Sequence, residues 1–181
     1  MVASQIIDQR ALIRSNVELL RQALDLMSQI GDAEFRDAPP QMEPHKAGSH
    51  LRHVLEFYEC FIRGVSRGTI DYDSRQRDAS VETSREVAMA RIAAIVQCLE
   101  SDALLQMDTL VLVRAEDAES LGLADPFVTS SIARELLTLS SHTIHHFALI
   151  AMTLRAHGVA VDPDFGVAPS TLRHRRKLAV A

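Results

Sequence analysis

Apolar residues return every three or four positions through four long stretches of this chain, a spacing that builds one-sided helices. Over residues 4–31 the stripe is Ile6, Leu12, Ile13, Val17, Leu20, Leu24, Leu26, Met27 and Ile30. Gly31 stands where a helix stops, and Pro39, Pro40 and Pro44 follow. Ser49 is the expected cap of a second helix running to Gly64, with Leu51, Val54, Leu55, Tyr58, Phe61 and Ile62 on its stripe. A third helix is predicted over residues 83–100. A fourth is predicted over 129–157, with Gly158 just past its end. Aromatics make up only 4% of the chain and Trp is absent, so the core is built from Leu, Ile, Val, Met and Ala, which suits helices.

The connections are uneven. Residues 67–80 are rich in Asp and Arg and read as a polar loop. Residues 104–127 exceed a tight turn, since unstructured links beyond ~12–15 residues are uncommon in compact domains. Within them 109–113 (TLVLV) is β-branched and reads as a strand or an extended crossover segment. The tail 159–181 holds Pro163, Gly166 and Pro169 and reads as irregular. The expectation is an all-α fold: one domain over residues 1–181, a four-helix bundle with a long crossover connection.

Charge and motifs exclude several functions. The chain of 181 residues carries 19 Lys and Arg against 24 Asp and Glu, a net charge of −5. A nucleic-acid binder would show a basic face. The one basic cluster, Arg173, Arg175, Arg176 and Lys177, reads as a solvated end. Two cysteines, Cys60 and Cys98, make no disulfide framework. The first residues show no secretory pattern, and the apolar runs fall far short of the ~20 residues of a membrane span. A soluble, cytoplasmic protein without nucleic-acid or membrane partners is expected. No P-loop, GxGxxG or GxSxG pattern occurs, so nucleotide and nucleophile-elbow chemistry have no support.

The eight histidines are 45, 50, 53, 142, 145, 146, 157 and 174. His142 and His146 stand four apart on the fourth predicted helix, one turn apart on one face, a spacing that lets two imidazoles share an ion. His146 falls on the stripe of Leu139, Thr143 and Ile150, His142 falls at its edge, and His145 points away. A metal inside a bundle needs further ligands from a facing helix, and the second helix offers His50 and His53. Periodicity leaves both open. His50 lies nearer the main stripe, whereas His53 shares a face with Phe57 and Cys60.

Two segments, GSHLRHVLEFYECFIRG (48–64) and SSHTIHHFALI (140–150), resemble the DinB/YfiT-like superfamily in order and separation. A narrower likeness extends over IDYDSRQRD (70–78), TSSIAREL (129–136) and FGVAPSTLRHR (165–175). The resemblance implies a four-helix bundle with a crossover between the second and third helices. It also implies a divalent metal, zinc or nickel first, on His53, His142 and His146. Relatives with assigned activity work on thiols, so the implied function is a metal-dependent thiol transferase or isomerase. A non-catalytic metal-binding or dimerisation bundle in stress response is the alternative.

Three neutral imidazoles leave a zinc ion an open position for water or substrate. Carboxylates commonly accept the second N–H of a ligand histidine, and Glu56 and Glu135 are the candidates. His50, Tyr72, Arg75, Arg77, Arg134 and Glu135 are candidates for supporting the ligands or binding substrate. Arginines in this set would suit an anionic substrate. Cys60, seven residues after His53, reads as an apolar filler that could also face the cavity. The expected partners are a small molecule, such as a low-molecular-weight thiol, and a second copy of the chain.

Overall fold

The computed structural model describes residues 9–101, 104, 110–115, 122 and 125–179 and is mostly helical. Helix α1 (Gln9–Gln29) buries Ile13, Asn16, Val17, Leu20, Ala23, Leu26 and Met27 on one stripe. The expected helical residues 4–8 lie outside the described residues. Short α2 (Asp32–Arg36) buries Phe35, and a single 3-10 turn follows at Pro40–Met42. Helix α3 (Ala47–Val65) starts ahead of the expected Ser49. Ser49 is not its cap. The Ser49 hydroxyl donates back to the Lys46 carbonyl, 2.9 Å away.

The third predicted helix is found almost as expected, with a further short helix before it. Short α4 (Ala79–Thr83) is capped by Asp78, and α5 (Arg85–Leu99) by Ser84, whose side chain accepts from the Val87 N–H. Extended backbone at Ser84 separates them. Helix α6 (Ile132–Ala156) begins at Ile132 rather than 129, because Ser131 is extended and accepts from the Arg134 N–H. Gly158 past its end has φ +82, the conformation expected of it.

Three further expectations need correction. The fold is not all-α. β1 (Thr69–Ile70), β2 (Leu110–Arg114) and β3 (Phe127–Ser131) form a sheet in that order, β1 parallel and β3 antiparallel to β2. The β-branched run at 110–113 is a strand, as its composition favours, while Thr109 lies outside the described residues. The polar loop contains β1 and the start of α4. The tail is irregular only to residue 168, since α7 (Pro169–Ala179) follows. Pro169 is its first residue, where a missing N–H costs nothing.

Helices α1 and α3 each pack on both α5 and α6. Their directions follow from side-chain pairings. His45 meets Thr153, His50 meets His146 and His53 meets His142, so α3 and α6 run antiparallel. Arg52 pairs with Glu82 near the start of α5, Arg91 pairs with Glu59 midway, and Ile62 and Arg63 lie beside Ala94 and Cys98. Helix α5 therefore runs with α3, and residues 66–84 must return along the length of α3. Gly48 permits the close approach at the end of that return: a Cβ there would stand 2.2 Å from the Glu82 carbonyl oxygen. No described helix is long and apolar enough to cross a membrane.

A polar cluster crosses the core. Tyr58 Oη donates to Asn16 Oδ1 at 2.7 Å, and Thr143 Oγ1 donates to Tyr58 Oη at 3.1 Å. Asn16 Nδ2 donates to the carbonyls of Leu12 and Leu136. All three side chains are fully buried, and every one of these hydrogen bonds except that to Leu12 ties α1, α3 or α6 to a neighbour. Tyr58→Phe leaves Asn16 and Thr143 short of a partner in a place water does not reach. It is expected to cost about 1–3 kcal/mol. A melting temperature lower by several degrees would show this, and an unchanged one would contradict it.

Candidate metal centre

Antiparallel packing of α3 on α6 brings two histidine pairs face to face. His53 Nε2 and His142 Nε2 stand 3.1 Å apart, and His50 Nδ1 and His146 Nδ1 stand 3.0 Å apart. One ligand nitrogen from each of His53, His142 and His146 lies within 4.8 Å of the others. Zinc–imidazole bonds of ~2.0–2.1 Å place tetrahedral ligand nitrogens about 3.3 Å apart, so small ring rotations would seat an ion here. Contact through Nδ1 with His50 leaves His146 its Nε2 for that ion.

The chemistry of the donors fits as well. Burial, then the charge of His142, pulls His53 down to about 4, while burial and then His145 pull His142 down to about 4. Burial, then His142 and His53, pulls His146 down to about 3. All three rings are neutral at pH 7 and offer lone pairs. The buried His142 Nδ1 and His50 Nε2 have no hydrogen-bond partner among the described residues.

His50 is placed behind a ligand, as a supporting group. Its ring stacks on His45, with centroids 5.5 Å apart and planes 8° apart, and burial lowers its pKa. It stands where a carboxylate was expected. Glu56 instead binds Arg52 at 2.9 Å and the Asp78 N–H at 3.0 Å. Glu135 accepts from Tyr72 Oη at 2.8 Å and from Ser130 Oγ at 2.5 Å. Neither carboxylate meets a histidine among the described residues: Glu56 is held by Arg52 of its own helix and by the Asp78 N–H of the returning segment, and Glu135 by hydroxyls of that segment and of the sheet.

Residues 71–75 supply the wall beside the histidines. Phe57 stacks on His142 (centroids 4.1 Å) and on Tyr72 (5.0 Å), and the Arg75 guanidinium lies over Phe57 at 4.8 Å. Burial and the Glu135 carboxylate push the Tyr72 phenol well above its usual range, so it keeps its proton. Tyr72 and Arg75 thus gather on Phe57 beside His142, and Glu135 meets Tyr72. Arg77 and Arg134 do neither. Arg77 is exposed with φ +52, and exposed Arg134 bonds Thr138 on its own helix. Cys60 is buried, accepts from Arg63 at 3.3 Å, and is kept a neutral thiol by burial. Sequence reasoning assigned no role to Phe57, although its position four residues after His53 was the signal. It also missed Ser130 and His45, for which spacing gave none.

No protein-family model matches the chain, and no solved structure matches it. FK506-binding protein 5 of Rhizopus delemar is 36% identical over 108 residues, which is 60% of this chain. The match spans 28% of that protein's length.

Metal-free protein is expected to lose stability in acid earlier than its carboxylates require. The histidines have depressed folded pKa values against ~6.5 unfolded, so the unfolded chain binds more protons between those limits. Their contribution is complete above pH 6.5 and is lost as pH falls through about 4. The slope of urea midpoint against pH from 6.5 to 4 should be shallower in His142→Asn/His146→Asn than in the parent. Parallel slopes would contradict the assignment.

Proposed function

We propose that this chain is a DinB/YfiT-like four-helix bundle that holds a divalent ion, zinc or nickel, on His53, His142 and His146. The reading extends to a metal-dependent transferase or isomerase acting on a small molecule such as a low-molecular-weight thiol. One observation carries the metal site: three neutral imidazoles from two antiparallel helices, with ligand nitrogens within 4.8 Å. The return of residues 66–84 between parallel α3 and α5 supports the bundle with a crossover between its second and third long helices. The likeness to FK506-binding protein 5 spans 28% of that protein and adds no ligand to this reading.

An ion with three histidine ligands supplies a Lewis-acid position that lowers the pKa of a bound water or thiol. The chain's own residues do the rest. His50 orients His146 through Nδ1. Phe57 and Tyr72 form an apolar wall against His142, and Glu135 holds the Tyr72 hydroxyl by accepting its proton in a hydrogen bond. A second reading, a non-catalytic dimerisation bundle, has its own support. Leu110, Leu112 and Val128 of the sheet are 65%, 44% and 50% exposed.

Elemental analysis tests the first reading. Protein purified without chelator is expected to carry about one ion per chain, the capacity of one three-histidine site, and His53→Ala, His142→Ala and His146→Ala to lose most of it. Undiminished metal in all three variants would overturn it, as would an empty parent after reconstitution with zinc and nickel. His50→Leu should weaken zinc binding about 10–100-fold in chelator competition, the usual effect of losing a ligand's hydrogen-bond partner. His50→Asn, whose Oδ1 takes the place of Nδ1, should restore most of that affinity. Equal affinity in all three proteins would remove His50 from the site.

A further inference from the structure

We propose that Arg75 makes this site selective for ligands that carry a carboxylate a few bonds from the atom that meets the metal. The inference rests on the metal reading above and names the ligand class it takes. Arg75 lies on the segment that returns along α3, half-buried, with its guanidinium 4.8 Å above the Phe57 ring. Phe57 in turn stacks on the ligand His142 at 4.1 Å. The cation therefore sits at the rim of the site, one ring away from a metal-binding imidazole.

Three arginines of the helices and sheet around the site are neutralised. Arg52 is shared by Glu56 and Glu82, Arg91 by Glu59 and Asp78, and Arg114 pairs with Asp73. Glu135, the carboxylate that Tyr72 meets, is occupied by two hydroxyls. Arg75 has no carboxylate partner among the described residues, and the Phe57 ring holds its plane while leaving N–H donors for a ligand. Imidazole ligands bring no charge to an ion, and among the described residues no carboxylate hydrogen-bonds to them, so a divalent ion would keep its full charge beside this cation. A ligand bearing one negative group for the ion and another for the guanidinium balances that charge, and a fork of N–H donors suits a carboxylate.

The test uses the full chain loaded with cobalt(II), whose thiolate-to-metal absorption reports ligand binding directly. Two probes matched in length are titrated: 3-mercaptopropionate and neutral 3-mercapto-1-propanol. The parent is expected to bind the carboxylate-bearing probe at least about tenfold more tightly, the scale of one charged hydrogen-bonded pair. Arg75→Gln is expected to bring the ratio near one, with cobalt stoichiometry unchanged. Arg75→Lys, which keeps the charge and loses the fork, should fall between. Cobalt uptake with no preference in the parent overturns this inference alone, as does a preference that survives in Arg75→Gln. A parent that takes up no cobalt overturns the metal reading and this inference with it.

Discussion

Helices α3 and α6 run in opposite directions with one register, and that register sets both the interior and the site. Tyr58 and Thr143 meet across it inside the core, and His50 and His53 meet His146 and His142 toward its edge. Around the polar contact lie Leu51, Val54, Leu55, Phe61, Leu136, Leu139, Phe147 and Ile150, all buried. Each such side chain contributes about 1.5–3 kcal/mol of hydrophobic stabilisation. Apolar burial is non-directional and would tolerate a slide of one helix along the other. The Asn16–Tyr58–Thr143 hydrogen bonds would not, because a slide would strand buried donors and acceptors. Polar specificity in the core thereby holds the histidines in register.

The return from α3 to α5 gives the site its second side. Because these helices are parallel neighbours, residues 66–84 travel back along α3, and Tyr72 and Arg75 pass beside Phe57 on the way. Asp78 ends the passage by capping α4 and pairing with Arg91, while its N–H binds Glu56. Gly48 admits the α4 backbone against α3. The same segment that satisfies a topological need thus places Tyr72 and the Arg75 guanidinium against Phe57, the ring that stacks on His142.

Much of this was legible in the residues. The apolar stripes located the long helices, because burial on one side of a helix leaves a 3.6-residue trace. The His142–His146 spacing marked one half of the site for the same reason. The half on α3 was ambiguous: His50 and His53 lie three apart, and both reach α6. Helix ends were misplaced where a cap decides them, since Ser84 and Ser131 are ordinary serines until their backbone turns extended. The sheet was half visible. β2 announced itself by β-branching, while β3 ran into a helix pattern, and β1 is two residues long.

By itself the sequence determined the helical character, the net acidic charge and the presence of histidines one turn apart. These are local properties, written in periodicity, charge and residue type. Tertiary structure decided which histidines converge, that an imidazole rather than Glu56 or Glu135 stands against His146, and that Arg75 lies over Phe57 whereas Arg77 and Arg134 point elsewhere. Those outcomes depend on helix direction and register and on the path of a returning loop. Such relations hold between residues dozens of positions apart, and no spacing along the chain encodes them.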